Sequence, residues 1–73
     1  MLNVGQKVSF VPYFNDSQIS ACRGDPVIGT VFLVNYARQM FFVQFHVHGV
    51  IMREGFQFFD LYRKVHPLRP PIH

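Results

Sequence analysis

The sequence predicts an all-β protein of five short antiparallel strands closed into a small barrel, with one short 3-10 turn before the last strand. Three observations lead to this fold class. Apolar and polar residues alternate in several short runs, as strands with one buried face require. Turn-forming residues separate these runs at short intervals. No stretch shows the 3.6-residue repeat of an amphipathic helix.

Residues 4–10 form the first predicted strand, because Val4, Val8 and Phe10 share one side of an alternating run. Residues 12–26 follow as a long loop. They contain Asn-Asp-Ser and Arg-Gly-Asp-Pro, whose turn formers interrupt a regular strand.

Residues 27–34 form the second predicted strand and residues 40–48 the third, with a short hydrophilic break between them that is typical of a hairpin. The third strand alternates clearly. Its predicted inward residues are Phe41, Val43, Phe45 and Val47, and its predicted outward residues are Phe42, Gln44, His46 and His48.

Residues 50–56 are the fourth predicted strand, residues 58–61 have room for one helical turn, and residues 62–68 return to a strand-like pattern. One domain therefore covers residues 1–68. Residues 69–73 form an extended, proline-rich tail, because each proline fixes its own φ angle and disfavours helix at the preceding residue.

The predicted core takes the inward residues of each strand and of the closing turn. These residues are Val8, Phe10, Val31, Phe41, Val43, Phe45, Phe56, Phe58, Leu61 and Val65.

Four segments carry a resemblance to SH3-like barrels in the broad sense that includes Tudor and KOW modules. They are Val4-Gly5-Gln6-Lys7-Val8-Ser9-Phe10, Gly29-Thr30-Val31, the strand from Phe41 to Val47, and Arg53-Glu54-Gly55-Phe56-Gln57-Phe58 leading into Asp60-Leu61. The resemblance implies a small barrel with binding loops. It does not imply polyproline recognition, because the chain lacks the tryptophan on which signalling SH3 domains depend.

The pattern Val-Gly-x-Lys-Val, then Gly-Thr-Val, then Phe-x-Phe-x-Asp-Leu is also similar to short proteins of unassigned function carried by bacteriophages and prophages. This second resemblance implies an inhibitor of a host enzyme or defence complex, in the manner of anti-CRISPR proteins. Such an inhibitor needs no active site.

Composition limits the function classes. Hydrophobic residues make up 49% of the 73 residues and charged residues only 15%, so the chain is expected to fold. The single Cys22 excludes an intrachain disulfide and favours a reducing cytoplasm. The first residues lack the pattern of a signal peptide, and no apolar run is long enough to cross a bilayer, so no membrane association is expected.

The nine phenylalanines are more than so small a core is expected to enclose, and the surplus predicts an interface with a protein partner, either a host protein or a second copy. Apolar and aromatic residues beside arginine are typical of such interfaces. The predicted partner-binding residues are Tyr13, Phe14, Phe32, Tyr36, Arg38, Phe42 and Arg53, with Ile28 as a further candidate.

Nucleic acid is the alternative partner, since the net charge is +3 and aromatic rings can stack on bases. The phosphate-binding residues would be Lys7, Arg23, Arg38 and Arg53. The positive charges are few, however, and acidic residues interrupt them.

No other chemistry is favoured. His46 and His48 are spaced to share a strand face, but closed zinc sites usually add cysteine or carboxylate ligands at motif spacing, so neither a metal nor another cofactor is predicted. No nucleophile motif, phosphate loop or paired carboxylates occur, and no enzymatic activity is expected.

Overall fold

The computed structural model describes residues 2–12 and 25–68. The predicted loop therefore lies mostly outside the described residues, as do the proline-rich tail and the site candidates Tyr13, Phe14 and Arg23. The strands are β1 (Lys7–Phe10), β2 (Val27–Asn35), β3 (Met40–Val47), β4 (Val50–Gln57) and β5 (Val65–Pro67), and a 3-10 turn (Phe58–Asp60) precedes β5.

The five strands form one antiparallel sheet in the order β4-β3-β2-β1-β5. This confirms the predicted all-β class, with five antiparallel strands and a 3-10 turn before the last strand. The sheet ends at β4 on one side and β5 on the other, so the described strands do not close into the predicted barrel through a hydrogen-bonded ladder. Strand β5 pairs with β1, where Val8 is opposite Pro67, and its Val65 also forms an isolated parallel bridge with Leu61.

The first strand begins later than its alternation predicts. Gly5 has a φ of +95°, which turns the chain just before β1. The Gly5 N–H donates to the Val31 carbonyl at 2.7 Å, and the turn leaves Val4 64% exposed. The prediction that Val4 shares one buried side of the strand with Val8 and Phe10 is therefore wrong, and Leu2 is buried at this end of the sheet instead.

A β-bulge interrupts β2 between Val31 and Leu33. Beyond it, Leu33 pairs with Phe42, and Val34 pairs with the buried Phe41. A bulge adds one residue to one strand and so changes which side the following residues face. As a result, both Phe32 and Leu33 are exposed on the side of the sheet opposite the core.

Strands β3 and β4 form a hairpin whose register runs without a break from Val47 opposite Val50 to Met40 opposite Gln57. His48 and Gly49 connect the strands, both with positive φ, as a type I′ turn requires. The alternation predicted for β3 is confirmed, because Phe41, Val43, Phe45 and Val47 are all buried.

One side of the sheet carries the core. Ring contacts join three strands there, with the Phe10 ring centroid 5.0 Å from that of Phe45 and 5.3 Å from that of Phe56, both edge to face. The buried hydrophobic residues are Leu2, Val8, Phe10, Val31, Phe41, Val43, Phe45, Val47, Phe56 and Val65. Of the predicted core residues, Phe58 and Leu61 are only partly buried and pack against this cluster.

The last strand is shorter than residues 62–68. Tyr62 has a φ of +65°, and the backbone N–H groups of Arg63 and Lys64 both donate to the Asp60 carbonyl. These bonds hold residues 62–64 in a turn, so the ladder with β1 begins only at Val65. No helix among the described residues is long and apolar enough to span a membrane.

Candidate functional site

The side of the sheet opposite the core is named here the outer face, and it contains most of the described site candidates. Its residues alternate with the inward ones along each strand, except at the bulge, where Phe32 and Leu33 are adjacent. They are Lys7, Ser9, Ile28, Thr30, Phe32, Leu33, Phe42, Gln44, His46, Ile51, Arg53, Gly55 and His66. The strand register arranges most of them in three rows that cross the sheet.

The first row is aromatic and consists of Phe32, Leu33 and Phe42. The Phe32 and Phe42 ring centroids are 6.2 Å apart, with their planes tilted by 50°. Phe32 is 38% exposed and Leu33 is 49% exposed, whereas Phe42 is half-buried. Phe42 lies opposite Gly55, and a side chain on that glycine would meet the Phe42 ring at 2.8 Å. The ring of Phe42 therefore occupies the space that the glycine leaves open.

The second row is polar and consists of Lys7, Thr30, Gln44 and Arg53, which pair across four strands. The Lys7 ammonium donates to the Thr30 hydroxyl at 2.7 Å, and the Arg53 Nε donates to the Gln44 side-chain oxygen at 3.3 Å. Both cations thus lie over the row instead of extending away from the sheet.

Arg53 joins the polar row to the aromatic row. Its guanidinium carbon lies 5.4 Å from the centre of the Phe32 ring, within the range of a cation–π interaction. Within the described strands the outer face has no acidic residue, since Glu54 has the opposite parity and Asp60 is buried in the 3-10 turn. The described part of this face is consequently apolar and positively charged.

The third row contains two exposed isoleucines. Ile28 pairs with Ser9 and is 61% exposed, and Ile51 pairs with His46 and is 56% exposed. His66 continues the row onto β5 opposite Ser9. Apolar side chains therefore lie on both sides of the polar row.

The structure brings together four of the residues that the sequence nominated. Phe32, Phe42 and Arg53, from the predicted protein interface, share the outer face with Lys7, from the alternative set for nucleic acid. Ile28, the additional candidate, lies in the third row.

Two nominated residues lie elsewhere, in the turn between β2 and β3. The Tyr36 hydroxyl donates to the Leu2 carbonyl at 2.9 Å, and its ring packs edge to face on Phe58 at 5.8 Å. The Arg38 backbone N–H donates to the Asn35 side chain at 3.1 Å. Tyr36 therefore holds the start of the chain against the turn, while its ring remains partly exposed.

Leu33 and Ile51 are outer-face residues that were not nominated from the sequence. Ile51 has the same parity as Arg53, so alternation along β4 contains the necessary signal. Leu33 is exposed only because of the bulge, and no residue in β2 predicts a bulge at this position.

A pocket of about 570 Å³ shares Gly55 with the outer face and is otherwise lined by residues that are not part of that face. Its described lining is Val11, Glu54, Gly55, Phe56, Asp60, Arg63 and Lys64, in which acidic and basic side chains are mixed. This lining does not select a ligand class.

The prediction that His46 and His48 share a strand face is wrong. Strand β3 ends at Val47, and His48 lies in the turn with a φ of +50°, so the strand alternation does not extend to it. Within residues 2–12 and 25–68, no three histidine, cysteine, aspartate or glutamate side chains form a group suited to a metal ion.

Comparison with known proteins finds no matching family model, no matching curated protein and no matching solved structure. The arguments for function therefore depend on the outer face itself.

Proposed function

We propose that this protein is a non-catalytic protein-binding module and that it docks its partner on the outer face. The observation that carries the proposal is the exposure of Ile28, Phe32, Leu33 and Ile51 on one side of a single sheet. A large contiguous apolar patch on a protein surface usually marks an interaction site. Arginine beside aromatic residues is also enriched at protein interfaces.

The geometry of the rings favours a protein over a nucleic acid. Base stacking needs an accessible ring face, but the Arg53 guanidinium lies over Phe32, and Phe42 packs on Gly55. The two rings are also tilted by 50° and do not form a flat platform. Apolar side chains of a protein partner can fill this uneven surface without stacking.

An RNA- or DNA-binding module remains the second candidate because Lys7 and Arg53 lie in one polar row. In this case binding would weaken steeply with salt, roughly in proportion to the number of phosphates contacted. Docking dominated by apolar contacts would show a much smaller salt dependence.

The resemblance to phage proteins extends the proposal to a partner class. The partner would be a host enzyme or defence complex in the cytoplasm, and the outer face would cover a surface which that complex needs for its own substrate. Inhibition of this kind requires only affinity and no chemistry from the inhibitor.

Capture with matched variants tests the proposed docking surface. Three baits are compared, and each is the full chain. The first is unchanged, and the second carries Ile28→Ser and Ile51→Ser on the outer face. The third carries Phe59→Ser and Tyr62→Ser near the 3-10 turn. All four residues are exposed, so each pair removes exposed apolar side chains at little cost to the core. We expect the partner to bind the unchanged chain and the control pair, and to be lost from the outer-face pair.

The reverse pattern, with loss only from the control pair, would place the interface near the 3-10 turn and contradict the proposal. Recovery of nucleic acid in place of protein, with binding lost between about 50 and 200 mM salt, would favour the second candidate. Sedimentation of the purified chain across concentrations shows whether the partner is a second copy.

A further inference from the structure

We infer that the partner presents a carboxylate between two apolar side chains, and this inference rests on the proposed docking function. The outer face has the complementary order: an aromatic row, a polar row with a cation at each end, and a row with two isoleucines. The partner's two apolar side chains would meet the aromatic and isoleucine rows, and its carboxylate would meet the polar row.

The charge argument depends on the polar row. Lys7 and Arg53 are its only basic side chains, and the described outer face holds no acidic residue between them. A partner that buried this row without supplying negative charge would remove two cations from water uncompensated. Such a loss is costly, so a carboxylate is the group that this row selects.

The positions of the cations are already restricted. Thr30 accepts a hydrogen bond from Lys7 and Gln44 accepts one from Arg53, so both side chains lie along the row before any partner arrives. Only the Arg53 Nε is used in that bond, and the guanidinium has further N–H donors suited to a carboxylate. Less side-chain entropy is then lost on binding.

The spacing argument depends on strand geometry. Consecutive outward residues on a strand are about 7 Å apart, so the aromatic and isoleucine rows flank the polar row at that distance. Alternate side chains of an extended peptide have the same spacing. A segment of the type Leu-x-Glu-x-Leu therefore places its two leucines on the apolar rows when its glutamate meets Arg53.

Nuclear magnetic resonance titration of the full chain with short synthetic peptides tests the inference. The probe is acetyl-Ser-Leu-Thr-Glu-Thr-Leu-Ser-amide, and two matched peptides carry glutamine or lysine in place of the glutamate. A ten-residue oligothymidylate is the nucleic-acid probe. The protein is used unchanged, as Arg53→Gln, and as the matched control Lys64→Gln, a cation outside the outer face.

We expect weak binding, with shifts at Gln44, Arg53 and Ile51. The glutamate peptide should bind about three- to fivefold more tightly than the glutamine peptide, as expected for an exposed ion pair, and the lysine peptide should bind most weakly. Arg53→Gln should reduce this preference, whereas Lys64→Gln should preserve it.

Equal binding of the glutamate and glutamine peptides on the outer face would overturn the inference and leave the docking function intact. Stronger outer-face shifts with the oligothymidylate than with any peptide would overturn both. Shifts confined to the pocket beside Lys64, or none on the outer face at millimolar peptide, would also overturn the inference, and the capture experiment would then decide the docking function separately.

Discussion

Replacing Gly29 with alanine places a methyl group inside the packed core. Gly29 lies in β2 opposite Phe45, and its backbone is buried. A Cβ atom there would overlap the Val43 Cγ1 atom, and it would lie 3.0 Å from both the Gln44 carbonyl oxygen and the Phe10 ring. The φ angle of Gly29 is not in the positive range, so the penalty is one of space and not of backbone conformation.

The magnitude follows from what can move. Extra methyl groups in a packed core cost typically 1–3 kcal/mol. Here one close neighbour is the Gln44 carbonyl oxygen, which the sheet holds in place. The other two belong to the buried side chains of Val43 and Phe10. We therefore expect Gly29→Ala to lower the free energy of unfolding by about 3 kcal/mol. A chain of this length has a total free energy of unfolding of roughly 4–11 kcal/mol, so the loss is a large fraction of it.

Guanidinium and thermal unfolding measure this loss. A change of about 3 kcal/mol corresponds to a Tm lower by about 12–24 °C in a domain of this size. Gly55→Ala is the matched control, because Gly55 is also a strand glycine without positive φ, but its close neighbour is the half-buried Phe42 ring, which can rotate toward solvent. We expect this control to change stability by less than about 1 kcal/mol.

A double-mutant cycle gives the sharper test. Val43→Ala removes the methyl group that overlaps the new side chain, so the double variant should be more stable than the two single losses predict by about 1 kcal/mol or more. The reasoning is refuted if Gly29→Ala costs no more than Gly55→Ala, or if the cycle is additive.

Three further changes test local features by the same unfolding measurements. Tyr36→Phe should cost about 1 kcal/mol, because it removes the hydrogen bond to the Leu2 carbonyl but keeps the ring; an unchanged stability would mean that this bond does not hold the chain start. Asp60→Ala should cost about 1–2 kcal/mol, because the buried carboxylate accepts the Gln57 N–H at 3.0 Å, and Asp60→Asn should recover part of the loss; equal losses would count against a hydrogen-bonding role. His48→Asn should raise stability by about 0.5 kcal/mol, since asparagine tolerates positive φ before the glycine of a type I′ turn; a lower stability would argue against that turn.

Local pattern predicted most of the sheet. A strand with one buried face must alternate, so the outward position of Phe42 and the inward positions of Phe41 and Phe45 follow from order alone. Phe32 and Arg53 were both nominated as partner-binding residues, and the structure places them in contact on the outer face.

The predicted alternation fails in two places. At the start of the chain, the positive φ of Gly5 exposes Val4, and Leu2 is buried instead. In β2 the bulge exposes Leu33 beside Phe32. The turn at Gly5 changes the direction of the chain before β1, the bulge shifts the side chains that follow it to the other side of the strand, and neither change is visible in the apolar pattern.

The sequence by itself determined the all-β class, the number and order of the strands and the inward residues of β3, because alternation is a local property of a chain that buries one face. It also determined that aromatic side chains exceed what a core of this size encloses. Only the tertiary structure decided which side chains the two cations contact. The Arg53 contact with Phe32 and the Lys7 contact with Thr30 depend on the register of strands distant in sequence. That register is set by packing across the whole sheet, and it makes one surface of residues that the chain order keeps apart.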